Sequence, residues 1–394
     1  MKTLVGTTMW LVAAAGCVSP QTTEPVEVPF QSDFGLIWVQ TTVNGSAPLW
    51  FLLDTGFEYS LIDAAAAQRL GLQVQDPQSV PQPGGTVEMG AVPDVQLAIG
   101  SIRVPPLTVQ AVPLAGLEPV VGRSLHGILG HDVIARYLLT IDYERETLRF
   151  LPADTDEPLP EGTVLPLTIV ANEPFVDGVI EQPHDSDIRG RFKLDTGSLD
   201  ALGLNRNFLE GSDVLAPGQT THRVPGIAVG GDTDGLLFRI AGFRLGPYTL
   251  HDPVIGATLA SEGFEDRDDA GTIGAEVLHR FTVTLDYARA RMVLAPNSHF
   301  ADDPGVDRSG MWVVADGSDF SEFRVRFVLA DGPAAAAGLE QGDVIVGVDG
   351  RSARTLRLVD LWRTWRQPDG TAVELEVRRG NQIRTLHLTL RSPV

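Results

Sequence analysis

The sequence predicts a mainly β protein made of two homologous lobes, with a smaller α+β unit at its C-terminal end. Three observations lead there. Short runs of Val, Leu and Thr are broken by 41 Gly and 27 Pro residues, the pattern of strands joined by tight turns. Three segments recur in the same order at spacings of 141 to 144 residues. From about residue 306 the repeat stops and a different Gly-punctuated pattern begins. A chain of 394 residues, 43% hydrophobic, has enough apolar content for two or three such packed units.

The repeat is literal. Phe51-Leu52-Leu53-Asp54-Thr55-Gly56 returns as Phe192-Lys193-Leu194-Asp195-Thr196-Gly197. Gly127-Ile128-Leu129-Gly130 returns as Gly271-Thr272-Ile273-Gly274, and Thr140-Ile141-Asp142-Tyr143 as Thr284-Leu285-Asp286-Tyr287. The lobes are placed at 31–155 and 156–300. In the first, residues 36–43 read as a strand, Asn44-Gly45 as a hairpin turn and residues 49–53 as the return strand. In the second, residues 164–170 and 176–180 open the lobe and 190–194 lead into Asp195. Residues 133–137 and 277–281 are short enough to be single helical turns.

A formal charge of −21 excludes nucleic-acid binding, which needs a basic face. No metal framework is expected: there is one cysteine, and His126 and His131 lack the usual ligand spacing. Residues 1–16 read as a cleavable signal, with Lys2 ahead of an apolar stretch too short to span a bilayer. Small residues before Cys17 resemble a bacterial lipoprotein signal, although Ala14 stands where leucine is usual. Cys17 is therefore the expected lipid site, with an ordinary secretory signal as the alternative. Residues 17–30, with three prolines, read as a tether. Val18 after the cysteine points to the outer membrane, facing the periplasm.

Two carboxyls brought within hydrogen-bond reach cannot both ionise freely, so the pair retains one proton and offers one base and one acid. Such a pair can hydrolyse a peptide with no cofactor. Glycines after each aspartate allow sharp turns, and the threonine hydroxyls can bond across a lobe interface. These motifs resemble those of retropepsin-like and pepsin-like aspartic peptidases, in a bacterial form fused to a PDZ domain. The resemblance implies a catalytic Asp54 and Asp195, supported by Thr55, Gly56, Thr196 and Gly197, with Ser198 bonding its lobe's carboxylate. It also implies that Leu129-Gly130 and Ile273-Gly274 pack behind the loops, and that flaps cover the cleft near Gly84-Gly85 and Gly230-Gly231. Phe57 departs from the small or hydroxyl residue common at its position, Glu58 adds a charge, and a flap tyrosine is missing between Tyr59 and Tyr137. Both loops lie on one chain, so a monomer is expected to be catalytically complete.

Gly332-Pro333-Ala334, residues 337–345 and Val348-Asp349-Gly350 resemble bacterial PDZ domains, placing one at 306–394. Leu358, Leu361, Trp362 and Trp365 recur at helical spacing and should line or underlie its groove. The loop Gly310-Met311-Trp312-Val313 is the candidate receiver of a peptide C-terminus. Expected partners are thus a peptide or protein substrate, a peptide end in the PDZ groove, and a membrane reached through the lipid. The competing readings are a peptide-binding lipoprotein without turnover and an acidic scaffold.

Overall fold

The computed structural model describes residues 24–82, 84–182, 186–259, 268–303 and 305–394. The signal segment and Cys17 lie outside them.

A six-stranded sheet joins the two lobes. Its order is Val26–Pro29, Thr147–Pro152, Tyr137–Asp142, Phe281–Asp286, Arg291–Pro296 and Thr163–Pro166. Three strands come from each half, and the two middle ones pair antiparallel with Thr140 opposite Thr284. Their hydroxyl oxygens lie 2.9 Å apart, on the local twofold. The strand Val26–Pro29 corrects the tether reading of residues 17–30. Val26, Val28 and Phe30 alternate inward with the period of a strand, and Pro29 is tolerated because this is an edge strand.

Above this floor, each lobe folds its own ten-stranded sheet among the described residues, and the two orders correspond strand for strand. In the first, Leu36–Val43 pairs with Leu49–Leu53 through Asn44 and Gly45, both at positive φ as a type I′ turn requires. Leu49–Leu53 then lies parallel to Gly127–Leu129, as Ile188–Leu194 lies parallel to Gly271–Ile273 in the second lobe. Buried Val39, Leu53, Leu129 and Ile141 from one half, with Leu194, Ile273 and Leu285 from the other, belong to a single hydrophobic core. The helical turns are His131–Ile134 and Ala275–Leu278, each starting two residues earlier than expected because the chain enters it directly from the glycine behind the Asp-Thr-Gly loop. Thr163–Pro166, expected to open the second lobe's own sheet, belongs instead to the shared floor.

The C-terminal unit has its own core and a sheet ordered Met311–Asp316, Glu322–Val328, Val344–Val348, Ala372–Arg379 and Gln382–Thr389, with Arg351–Ser352 pairing Val344–Val348. The helix Leu358–Trp365 buries Leu358, Leu361 and Trp365 on one face.

Candidate active site

Each Asp-Thr-Gly segment leaves a buried strand and is held from behind by the parallel neighbour. The Asp54 amide donates to the Leu129 carbonyl at 3.0 Å, and the Asp195 amide to Ile273 at the same distance. The His131 amide donates to the Phe57 carbonyl, and that of Ala275 to Ser198. Gly130 and Gly274 must lack side chains here: a Cβ on Gly130 would lie 2.6 Å from the Tyr59 backbone, and one on Gly274 would lie 2.2 Å from the Asp200 carbonyl oxygen.

The threonines lock the loops to each other. Thr55 Oγ1 donates to the Leu194 carbonyl at 2.7 Å and accepts from the Thr196 amide at 3.1 Å. Thr196 Oγ1 returns both bonds, to the Leu53 carbonyl at 2.8 Å and from the Thr55 amide at 3.1 Å. All four bonds are buried, so each satisfies polar groups that would otherwise be stranded. The Gly56 amide donates to Asp54 Oδ1 at 2.8 Å and that of Gly197 to Asp195 Oδ1 at 3.1 Å.

This frame sets the carboxyls face to face. A Cβ on Gly56 would stand 2.7 Å from Asp195 Oδ2, and one on Gly197 2.0 Å from Asp54 Oδ2, so only glycine admits the opposite carboxyl. Burial pushes the Asp54 carboxyl well above the ordinary aspartate range, and the neighbouring Asp195 pushes it the same way. The Gly56 amide and the charge of Lys193 oppose the shift without cancelling it. Ser198 departs from its expected role: its amide donates to the Asp195 carbonyl at 3.2 Å, and its hydroxyl makes no bond to the carboxylate. Phe57 packs its ring with the apolar cluster around Trp38 and Leu61, and Glu58 pushes the Tyr59 hydroxyl above the ordinary tyrosine range.

The glycine pairs proposed as flaps occupy the ends of two hairpins, Gln75–Gln82 with Gly85–Val95 and His222–Ala228 with Gly231–Arg239. The tips meet backbone to backbone. The Gly84 amide donates to the Val229 carbonyl at 3.2 Å, and a Cβ on Gly84 would fall 2.3 Å from the Gly231 nitrogen. Val87 and Val229, one from each hairpin, are buried in the same cluster.

Residues 39–133 match the profile of the aspartyl protease family, and residues 324–379 that of the PDZ domain. An aspartyl protease domain and a PDZ domain share this chain. A 58-residue stretch, 15% of the chain, is 45% identical to the chloroplastic carboxyl-terminal-processing peptidase 2 of Arabidopsis thaliana and spans 11% of that protein. Among solved structures, the aspartic proteinase of Irpex lacteus is 16% identical, with a TM-score of 0.45 over 71% of this chain and 99% of its own. The photosystem II D1 C-terminal processing protease is 30% identical over 23% of this chain and 24% of its own, with a TM-score of 0.21.

In the PDZ domain, the four residues expected to form a receiving loop are placed differently. Gly310 makes the turn, at φ 68°, but Met311, Trp312 and Val313 begin an edge strand paired to Val325–Val328. Their alternation, with Met311 and Val313 buried and Trp312 packed under Arg326, is that of a strand. The Met311 amide is taken by Ser309 Oγ at 3.2 Å. The protease domain packs against both sides of the channel between this strand and the helix Leu358–Trp365. A Cβ on Gly122 would lie 2.7 Å from Leu358 Cβ and 3.7 Å from Ala315 Cβ. Phe34 is 7% exposed, belongs to the PDZ core and meets the Trp362 ring edge-on at 5.4 Å.

Residues not singled out in the sequence complete the picture. Asp33 binds Arg123 at 2.9 Å and the PDZ residue Arg357 at 3.0 Å. Glu276 binds Arg280 at 2.9 Å and the PDZ residue Arg366 at 2.6 Å. Asp132, the counterpart of Glu276 in the first lobe, instead fastens Ser60, whose hydroxyl donates to it at 2.6 Å. Lys193 reaches the active loops themselves. Its signal in the sequence is a charged letter in the otherwise apolar run before the aspartate, where the first lobe has Leu52.

Proposed function

We propose that the protein is an aspartic endopeptidase in which Asp54 and Asp195 together activate water. The observation that carries this reading is the reciprocal bonding of Thr55 and Thr196, which supports two facing carboxyls with one of them driven to keep its proton. The ionised carboxylate takes a proton from water as the oxygen attacks the scissile carbonyl, and the protonated partner donates to the carbonyl oxygen. Collapse of the resulting diol breaks the C–N bond: the carboxyl that took the water proton gives it to the leaving amine, and the other carboxylate takes a proton back from a diol hydroxyl, restoring the single-proton pair. The touching flap tips exclude bulk water from the bound peptide and must part to admit it.

The test is incubation of the mature protein with a diverse peptide pool across pH, beside Asp54→Asn and Asp195→Asn. Cleavage by the parent alone is expected. Cleavage that survives either substitution overturns the paired mechanism, and cleavage by none of the three supports a peptide-binding protein instead. Specific activity should be constant on dilution, since one chain supplies both aspartates.

For the PDZ domain, the packing against this channel supports competition: an extended peptide adding to the strand Met311–Asp316 has to displace Phe34 and Gly122. A lipid anchor at Cys17 is proposed from the sequence pattern, with the outer membrane as its site. Cys17→Ser should move the protein from the membrane fraction to the soluble one.

A further inference from the structure

The dyad sits between two lobes that correspond strand for strand, yet its surroundings are not symmetric. In the first lobe the residue two before the aspartate is Leu52; in the second it is Lys193. Two residues apart on an extended segment, Lys193 and Asp195 point to the same side. The lysine is 8% exposed. Its Nζ donates to the Gly56 carbonyl at 3.2 Å and to Glu173 Oε1 at 3.0 Å, and lies 3.7 Å from Asp195 Oδ2. Since Gly56 belongs to the opposite loop, a single ammonium touches both halves of the site.

We propose that Lys193 is a positioning residue that breaks the symmetry of the pair, holding the negative charge on Asp195 and leaving Asp54 as the proton-bearing partner. The inference rests on the peptidase reading and assigns its roles: Asp195 takes the proton from water, and Asp54 donates to the carbonyl oxygen. Geometry supports it from two sides: the ammonium lies next to Asp195, and Asp54 is 4% exposed whereas Asp195 is half-buried. Among the described residues, groups in electrostatic reach include Glu173 on Lys193, Asp200 on Asp195, and the Tyr287 hydroxyl on Asp54. Glu173 is on the strand paired with that of Lys193, and it tempers the ammonium without removing it.

The two charges flanking Asp195 should therefore act in opposite directions. In protein labelled with carbon-13 at the aspartate carboxyls, with Asp54→Asn and Asp195→Asn as assignments, Lys193→Met should move the titration of the pair up by about one pH unit. Glu173→Gln should move it down, and Lys193→Arg should leave it near the parent. Both limbs of the kcat/KM profile should follow the same shifts. A titration that stays in place in both Lys193→Met and Glu173→Gln, or moves the same way in both, overturns the proposal, as does an Asp195 resonance that ionises after Asp54. Should Lys193→Met fail to fold, Glu173→Gln and Lys193→Arg still decide the matter. The resonance readout needs no turnover, so a parent that cleaves nothing defeats the peptidase reading while the charge assignment is still measured.

Discussion

Asp54 carries a cost that the surrounding structure absorbs. In the folded protein its carboxyl keeps its proton at a pH where the unfolded chain, with an ordinary value of 3.8, has lost it. The folded state then binds more protons, so this group's contribution is fully present below about 3.8 and is lost as pH rises through the elevated folded value. Asp54→Asn should accordingly raise the thermal midpoint at pH 7, and the gain should vanish toward pH 3; an equal gain at both values would contradict the assignment. Thr55→Val makes the opposite trade. It strands the Leu194 carbonyl and the Thr196 amide in a dry interface, at about 1–3 kcal/mol each, so urea denaturation should show a loss of about 2–6 kcal/mol. At this scale the sequence was legible where the repeat is literal, since two copies of Asp-Thr-Gly on duplicated strands point to one meeting place. Lys193 was visible as a letter, but its meaning depends on a contact with Gly56 in the other half.

At the scale of elements, the two hairpins meet at their tips, and that contact depends on the lack of side chains. Gly231 holds φ at 138°, and Gly84 approaches it too closely for any Cβ. Gly84→Ala should hold the tips apart. Amide exchange at Val87 and Val229 should then quicken, and KM for a long peptide should rise more than kcat falls. If exchange is unchanged, the tips are not held by this contact. Residues 26–30 and 310–313 differ from expectation for separate reasons: prolines in the first suggest irregular chain, and the PDZ resemblance implies a receiving loop at the second, whereas each segment pairs along a sheet edge, where a proline or a turn glycine costs little. Propensity is local, and pairing is decided by partners far along the chain.

Across the whole molecule, the PDZ domain is seated on the protease domain by contacts that no sequence pattern announces. Phe34 adopts φ 60° in the turn before Leu36–Val43, an uncommon conformation for a bulky residue, and its ring is buried more than 300 positions away along the chain, against Trp362. Phe34→Ala should free the PDZ domain, increasing the radius of gyration and exposing the channel to C-terminal peptides; unchanged scattering would count against the seat. Acid should loosen it too. Burial favours the neutral form of Glu276, but Arg366, His279 and Arg280 outweigh that and hold the carboxyl below its usual 4.5. Its contribution is therefore present above about 4.5 and is lost as pH falls through the lowered value. A shift in scattering on acidification that Glu276→Gln removes would register this. The common floor, where Thr140 faces Thr284, has a different consequence. Neither half owns a complete foundation, so heat cannot melt one and spare the other: the aspartates stay aligned until the whole platform gives way at once, and inactivation should coincide with a single cooperative transition of both lobes.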